Sequence, residues 1–553
     1  MKVFVNGKIW QWAGDNSVAN GPFAEWMTVS DDGRFIDVGV GDSPHSDDVE
    51  DLHGALVLPG LHDSHIHVSM MGESAEWLDL SGCNSYEDFI DLLRRYNAHY
   101  SEKSWIVGFG WTQDELSSTA KYPSRYDIDA VIPDRPVILH RACWHIAVVN
   151  TKALEIAGVE VTAKNHDVKH GTIDVDEKGV TGILREDAVQ IVEKHANEPS
   201  FDVRVKYYKN ALKKCVSSGL TAVHTNDEEA WSVYSKLQEE EGLPVRVYLT
   251  PSIHELGKTT IPKAGDCDRL ISCHRIKIFS DGSLGAETAA LRAPYKGTDN
   301  RGILMNSDEE LVTKISKANN AGYRVEIHAI GDRAAEQVLA ALRMAHVGPE
   351  RRPILTHCQI LGNDLIYQMH EQGVIGNIQP SFTLTDAAYV RKRLQDDVIP
   401  FSYCWKRMLD GNVVCAGGSD GPIETCNPFQ GMYDAIYRHK PDRPEEVFLP
   451  EEKLSFNEAL ALYTKGGAFA AMEEKTLGQI VSGFCADFVV LRKDVTQDHS
   501  ALVAPDLVKS VWVNGKKTYE YDPGISEDSQ YDFSKSLLPG KNGSLSICRC
   551  CRH

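Results

Sequence analysis

The chain has 553 residues, 42% of them hydrophobic and 25% charged, which is enough for three or four ordinary domains or for one large barrel with additions. With 58 basic against 79 acidic side chains the formal charge is −21, which argues against nucleic acid or an anionic membrane surface as the main partner. The first ten residues read as a strand with a turn, and no later apolar run reaches the roughly 18 residues of a spanning helix, so neither a secretory signal nor a membrane segment is expected.

In chain order, the first element is "VFVNGKIW" (3–10). It has a counterpart near the other end, "VWVNGKKTY" (511–519), and both carry the Asn-Gly hairpin signal inside β-rich sequence. With the strand-like "GQIVSGFCADFVVL" (478–491), the economical reading is one small β-sandwich domain built from residues 1–58 and 478–522. Next comes "GLHDSHIHVSM" (60–70). Alternation along a strand puts His65 and His67 on one face, with Asp63 in step and His62 opposite. A His-x-His pair is half of a divalent-cation site, although a solvated or packed pair would look the same in isolation.

From 68 to 218 there are about 150 residues with no barrel strand, far beyond an ordinary connection. The stretch holds a helix at 84–96, with Asn84 and Glu87 at capping-box spacing, and the strand-like "SWIVGFGW" (104–111) and "RPVILHRACWH" (135–145). It reads as an insertion over about residues 80–205. Seven further apolar segments then end in polar residues: 219–227, 245–253, 275–282, 323–332, 353–361, 373–382 and 412–422. Helical patterns separate them, such as 308–322, with Leu311, Ile315 and Ala318 on one face and Gly322 near its end, and 333–345. Strands alternating with helices predict an α/β fold, a closed (β/α)8 barrel over residues 59–477. The last segment, 523–553, is polar and is expected to be disordered. Its Cys548, Cys550, Cys551 and His553 match no prenylation signal. The other cysteines among the thirteen sit mostly singly at apolar positions, as Cys215, Cys358 and Cys415 do, which suits reduced thiols and a cytoplasmic protein.

Barrel chemistry sits at the C-terminal ends of the strands. Those ends carry His65, His67, His224, Lys277, His328, His357 and Asp420, a set rich in the imidazole and carboxylate ligands that a borderline divalent metal prefers. Each has an ordinary alternative: a hydrogen-bonded core histidine, a helix-capping aspartate, a rim lysine.

The motifs "PGLHDSHIH", "KIFSDGSLG", "EIHAIGD", "ILTHCQ" and "GGSDGP", in that order, resemble the amidohydrolase superfamily, and most of all its third amidohydrolase family, which includes N-substituted formamide deformylases. The likeness continues through "WIVGFGWTQDEL", "TGILRE", "GSLGAETAALRAPY" and "FNEALALYTKGGAFA" and covers residues 1 to about 520. The resemblance implies a metal-dependent hydrolase with two divalent ions, usually zinc. His65, His67 and Asp420 would hold one ion, His328 and His357 the other, and a carboxylated Lys277 would bridge them. An unmodified Lys277 would go with a single ion. The implied chemistry is hydrolysis of a non-peptide carbon–nitrogen bond, in an amide or N-substituted formamide, by a metal-activated hydroxide, with Asp420 as general base and then general acid. Candidate substrate-shaping residues are Trp111, Trp144 and His145 in the insertion, His145 with Asn150 also matching a motif of the resembled family, and His224, Asp281 and Gln379 at or just beyond strand ends, with core packing as the alternative for the tryptophans. "CWH" (143–145) departs from the family's usual small Asp-Gly pair before the histidine. Two other functions stay open: a mononuclear aminohydrolase that deaminates a ring, and a non-catalytic scaffold. The partner expected is a small-molecule amide, and a homodimer is compatible with the reading.

Overall fold

The computed structural model describes residues 1–12, 23–100, 104–116, 121–141, 146–162, 168, 171–186, 188–196, 199–285 and 287–523. The tail after 523, with its cysteines, and the 142–145 stretch that contains His145 lie outside the described residues. The described residues divide into two units, Met1–Met71 with Val205–Asp522, and Gly72–Arg204.

The larger unit is organised by eight strands: β1 (Leu61–Ile66), β2 (Leu220–Thr225), β3 (Arg246–Leu249), β4 (Arg275–Phe279), β5 (Arg324–Ala329), β6 (Ile354–His357), β7 (Ile375–Ile378) and β8 (Cys415–Gly417). Parallel ladders join β1 to β2 and β2 to β3, and run without a break from β4 through β8. Two seams complete the ring. The Lys277 amide donates to the Pro251 carbonyl (2.8 Å), joining the end of β3 to β4, and the Asp420 amide donates to the His65 carbonyl (2.7 Å), joining the end of β8 to β1. Nearly every strand residue is buried, as expected where helices cover one face and the barrel interior the other. The helix Asp308–Asn320 shows the local logic. Ser307 and Glu310 form a capping box, and Leu311, Ile315 and Ala318 make its buried face. Gly322, at φ +90°, turns the chain into β5.

The register of β1 departs from simple alternation. Between Asp63 and Ile66 it advances three residues while β2 advances two, so side-chain parity is lost within the motif. Asp63 is therefore not in step with His65. Its carboxylate accepts the Ser419 amide (3.0 Å), the Ser419 hydroxyl (2.5 Å) and the His65 amide (3.2 Å).

The N-terminal segment contributes to two sheets in this same unit, and the C-terminal segment joins one of them. One has four strands in the order Phe35–Gly39, Trp26–Val29, Lys2–Val5, Val49–Asp51. The other has six, in the order Lys516–Glu520, Val508–Val513, Phe488–Leu491, Leu56–Pro59, Lys8–Trp10, Phe23–Ala24. They share a core in which Phe488 stacks on Trp512 (5.5 Å between centroids) and Phe4 meets both edge-on. The two Asn-Gly pairs behave differently. Asn514-Gly515 closes a two-residue hairpin between paired strands. Asn6-Gly7 instead switches the chain from one sheet to the other, since the strands before and after it pair with different partners.

The second unit is built on a six-stranded mixed sheet: Gly171–Asp176, Gly179–Glu186, Ile146–Val149, Val137–Arg141, Ile106–Trp111, Leu78–Asp79. Alternate residues supply two cores, one with Leu139 and Val148 and the other with Ile138, Ala147 and Val149. The helix expected near 84–96 spans Tyr86–His99, and its cap is Ser85, which accepts the Asp88 amide. The capping residues thus lie one position beyond the expected Asn84 and Glu87. Asn84 instead donates its own amide to the Asp88 carboxylate (3.2 Å).

Candidate metal centre

His65, His357 and Asp420 come from the C-terminal ends of β1 and β6 and from the turn after β8. Each offers one ligand atom, and these atoms lie within 4.8 Å of one another. His67 joins them: Asp420 Oδ1 is 3.1 Å from its Nε2 and 3.2 Å from that of His65. The His328 ring stands 4.5 Å from that of His357, and the His357 ring 5.2 Å from that of His65. Lys277 Nζ is 3.4 Å from His65 Nε2. All six residues expected to serve as ligands therefore gather at one end of the barrel. The tightest trio takes members from both of the expected ligand sets, since it places His357 with His65 and Asp420.

The ring nitrogens show how the cluster is arranged. His65 Nδ1 lies 3.0 Å from Glu326 Oε1, His67 Nδ1 lies 3.2 Å from the Asn226 carbonyl, and His357 Nδ1 lies 2.8 Å from Gln379 Oε1. In each case an oxygen is placed to accept from Nδ1–H, the tautomer that leaves the Nε2 lone pair for a metal. His328 is turned the other way. Its Nε2 faces the Gly282 carbonyl (3.1 Å) and Asp281 Oδ1 (3.3 Å). Among the described residues, buried His357 Nε2 and His328 Nδ1 find no hydrogen-bond partner, which is costly in a dry interior unless a ligand takes the lone pair. Nitrogen lone pairs beside an ionised carboxylate are the donor set that suits zinc and similar ions, so the residues present fit a divalent metal.

Charge favours the same state. Burial, with His328 close by, holds His357 well below the usual histidine range, so its ring is neutral. Burial would raise the Asp420 carboxyl, but the His65 and His67 rings beside it outweigh burial and hold the group well below the usual carboxylate range. The backbone is also unusual here, with His357 at φ 81° and Asp420 at φ 58°, a region that non-glycine residues adopt rarely and mostly where the surroundings impose it.

Four of the residues expected to shape a substrate site are supports in the structure. Gln379 orients His357. Asp281 accepts the Ile330 amide on Oδ1 (3.0 Å) and the Ala290 and Gly331 amides on Oδ2 (both 2.9 Å), so it locks the loops around His328. Both ring nitrogens of His224 are engaged, by Arg275 (2.8 Å) and His62 (3.3 Å). Trp111 is fully buried in a core of the second unit and donates its indole proton to the Leu139 carbonyl (2.9 Å). His145 lies outside the described residues.

The sequence profile of the amidohydrolase family matches residues 48–519. The chain belongs to that family. Among its relatives, "Putative amidohydrolase YtcJ" of Bacillus subtilis (strain 168) is 32% identical over 494 residues, covering 86% of this chain and 91% of its own. N-substituted formamide deformylase of Arthrobacter pascens is 24% identical over 497 residues, covering 86% and 90%. A solved structure, an uncharacterized metal-dependent hydrolase from Pyrococcus horikoshii OT3, superposes with a TM-score of 0.75 at 28% identity, covering 91% of this chain and 99% of the other. This amidohydrolase therefore has a TIM-barrel-type metal-dependent hydrolase fold, with the histidine–aspartate cluster at the end of the barrel that carries catalysis in such folds. Among its described residues no helix is long and apolar enough to cross a membrane.

Two residues in the cluster's surroundings escaped the sequence reading. Glu326 and Arg275 lie two positions before His328 and Lys277 on β5 and β4. The period of two that puts alternate residues on one face was the signal that could have found them.

Proposed function

We propose that this amidohydrolase cleaves a non-peptide carbon–nitrogen bond in an amide or N-substituted formamide, with His65, His67, His328, His357 and Asp420 holding two zinc ions and a carboxylated Lys277 between them. The observation that carries the proposal is the convergence of three Nε2 lone pairs, each fixed by a tethered Nδ1, on the Asp420 carboxylate. The likeness to N-substituted formamide deformylase supports the bond type. A bound divalent ion supplies Lewis acidity, polarising the scissile carbonyl and making water nucleophilic at neutral pH. Asp420 takes the proton from the attacking water on a carboxylate oxygen and returns it to the leaving nitrogen. His65 and His67 stand on one side of that carboxylate, each with Nε2 near Oδ1.

A second reading, a mononuclear aminohydrolase, draws on the tight trio of His65, His357 and Asp420, which gathers ligands for one ion. Metal analysis of the purified protein separates the two: two ions per chain support the first reading and one ion the second. A screen of N-acyl and N-formyl amines then tests the bond type, with Asp420→Asn as control. The variant is expected to keep most of its metal and to lose about 100- to 10,000-fold in turnover. Wild-type activity in Asp420→Asn would overturn the role given to this residue, and a metal-replete enzyme that releases amine from none of these compounds would overturn the bond assignment.

A further inference from the structure

Beneath the metal cluster the barrel interior is polar and charged. Glu326, fully buried on β5, has Oε1 3.0 Å from His65 Nδ1, 3.2 Å from the donating Thr356 hydroxyl and 3.5 Å from Lys277 Nζ. Its other oxygen lies 3.2 Å from an Arg275 guanidinium nitrogen. Arg275 continues the chain by donating to His224 Nδ1 (2.8 Å), and His224 Nε2 then faces His62 Nδ1 (3.3 Å). One carboxylate thus touches side chains from β1, β4 and β6, including a ligand candidate on each of the first two and the residue preceding His357 on the third. Arg275, Lys277, His65 and Glu326 are all at most 3% exposed.

We propose that Glu326 is the positioning residue of the metal centre: it fixes the His65 tautomer and ring orientation, and Arg275 supplies the balancing charge that lets a carboxylate occupy this depth. The proposal rests on the metal-site reading above. A carboxylate on Nδ1 makes the Nε2 lone pair a stronger donor and removes the rotational freedom that the ring would lose on binding. An isolated carboxylate would be too costly inside the barrel, whereas one paired and hydrogen-bonded to several groups is stable. The same oxygen meets Lys277, so Glu326 also sets where that amine sits relative to His65.

The test is zinc affinity, read by competition with a chromophoric chelator, for wild type, Glu326→Gln and Glu326→Gln combined with Arg275→Gln. The double variant removes both buried charges and so guards against a fold lost through an orphaned guanidinium. Both are expected to bind zinc about 10- to 100-fold more weakly than wild type, with the loss concentrated in the ion nearest His65. A purely structural Glu326 would lower the melting temperature of the metal-free protein and leave zinc affinity unchanged. Wild-type affinity in either folded variant overturns the proposal, and so does failure of both variants to fold, which would make Glu326 a folding residue. If wild type itself binds no zinc, the metal-site reading fails first and is recognised as the cause.

Discussion

Removing the Arg246 side chain should destabilise the larger unit far more than an ordinary ion-pair deletion. Arg246 on β3 donates from Nε to Asp487 Oδ2 (2.7 Å) and from a terminal nitrogen to Oδ1 (3.1 Å). Asp487 directly precedes the strand Phe488–Leu491, so this fork ties the barrel to the sheet formed by the chain ends. The side chains are 11% and 3% exposed, so water replaces little of what is lost. In Arg246→Met, Asp487 keeps only the Asn514 amide (2.8 Å) among these donors, and a buried carboxylate stripped of its partner costs about 3–5 kcal/mol. The pair itself is worth much less than that, because burying it already cost solvation. Arg246→Met with Asp487→Leu should therefore recover a large part of the loss. Urea unfolding followed by tryptophan fluorescence suits the measurement, since Trp10, Trp26 and Trp512 are buried in the two terminal sheets. A single variant within about 1 kcal/mol of wild type, the range of an exposed pair, would refute the argument, as would a double variant no more stable than the single.

Trp111→Phe should cost about 1 kcal/mol, the worth of one buried hydrogen bond, and leave KM unchanged. A raised KM with unchanged stability would return the residue to the substrate site. Burial pushes the Asp434 carboxyl up to about 7, against hydrogen bonds from Ser381 and Gln430. A carboxyl raised on folding stabilises the protonated native state below its unfolded value, near 3.8, and that contribution is lost as pH rises to about 7. The melting temperature of Asp434→Asn should therefore fall less steeply than that of wild type over this range, and parallel profiles would show the group to be ionised throughout.

Much of the centre could be read from the sequence because its residues sit at strand ends, where short polar motifs interrupt apolar segments. His65, His67, Lys277, His328, His357 and Asp420 were all found this way, and the structure brings them together. Parity failed at Asp63 because a register slip depends on how β2 pairs with β1, which one strand's sequence does not encode. The ends of the chain show the same limit. Two identical Asn-Gly signals lead to a hairpin in one place and a change of sheet in the other, because the segments on either side of Asn6-Gly7 are taken by different strands further along the chain, Trp26–Val29 and Val49–Asp51 on one side and Phe23–Ala24 and Leu56–Pro59 on the other. Gln379, Asp281 and His224 were recognised as important by position. Their work as supports became visible only when each polar atom could be matched to its partner.

The pairing of Leu56–Pro59 with Phe488–Leu491 also has a consequence for biosynthesis. The first of these segments leaves the ribosome long before its neighbour exists. At about 5–20 residues per second, an apolar ribbon containing Val57 and Leu58 waits on the order of half a minute or more without its mate. Newly made chains interrupted before residue 488 would keep that ribbon exposed, a ready substrate for chaperones and for aggregation.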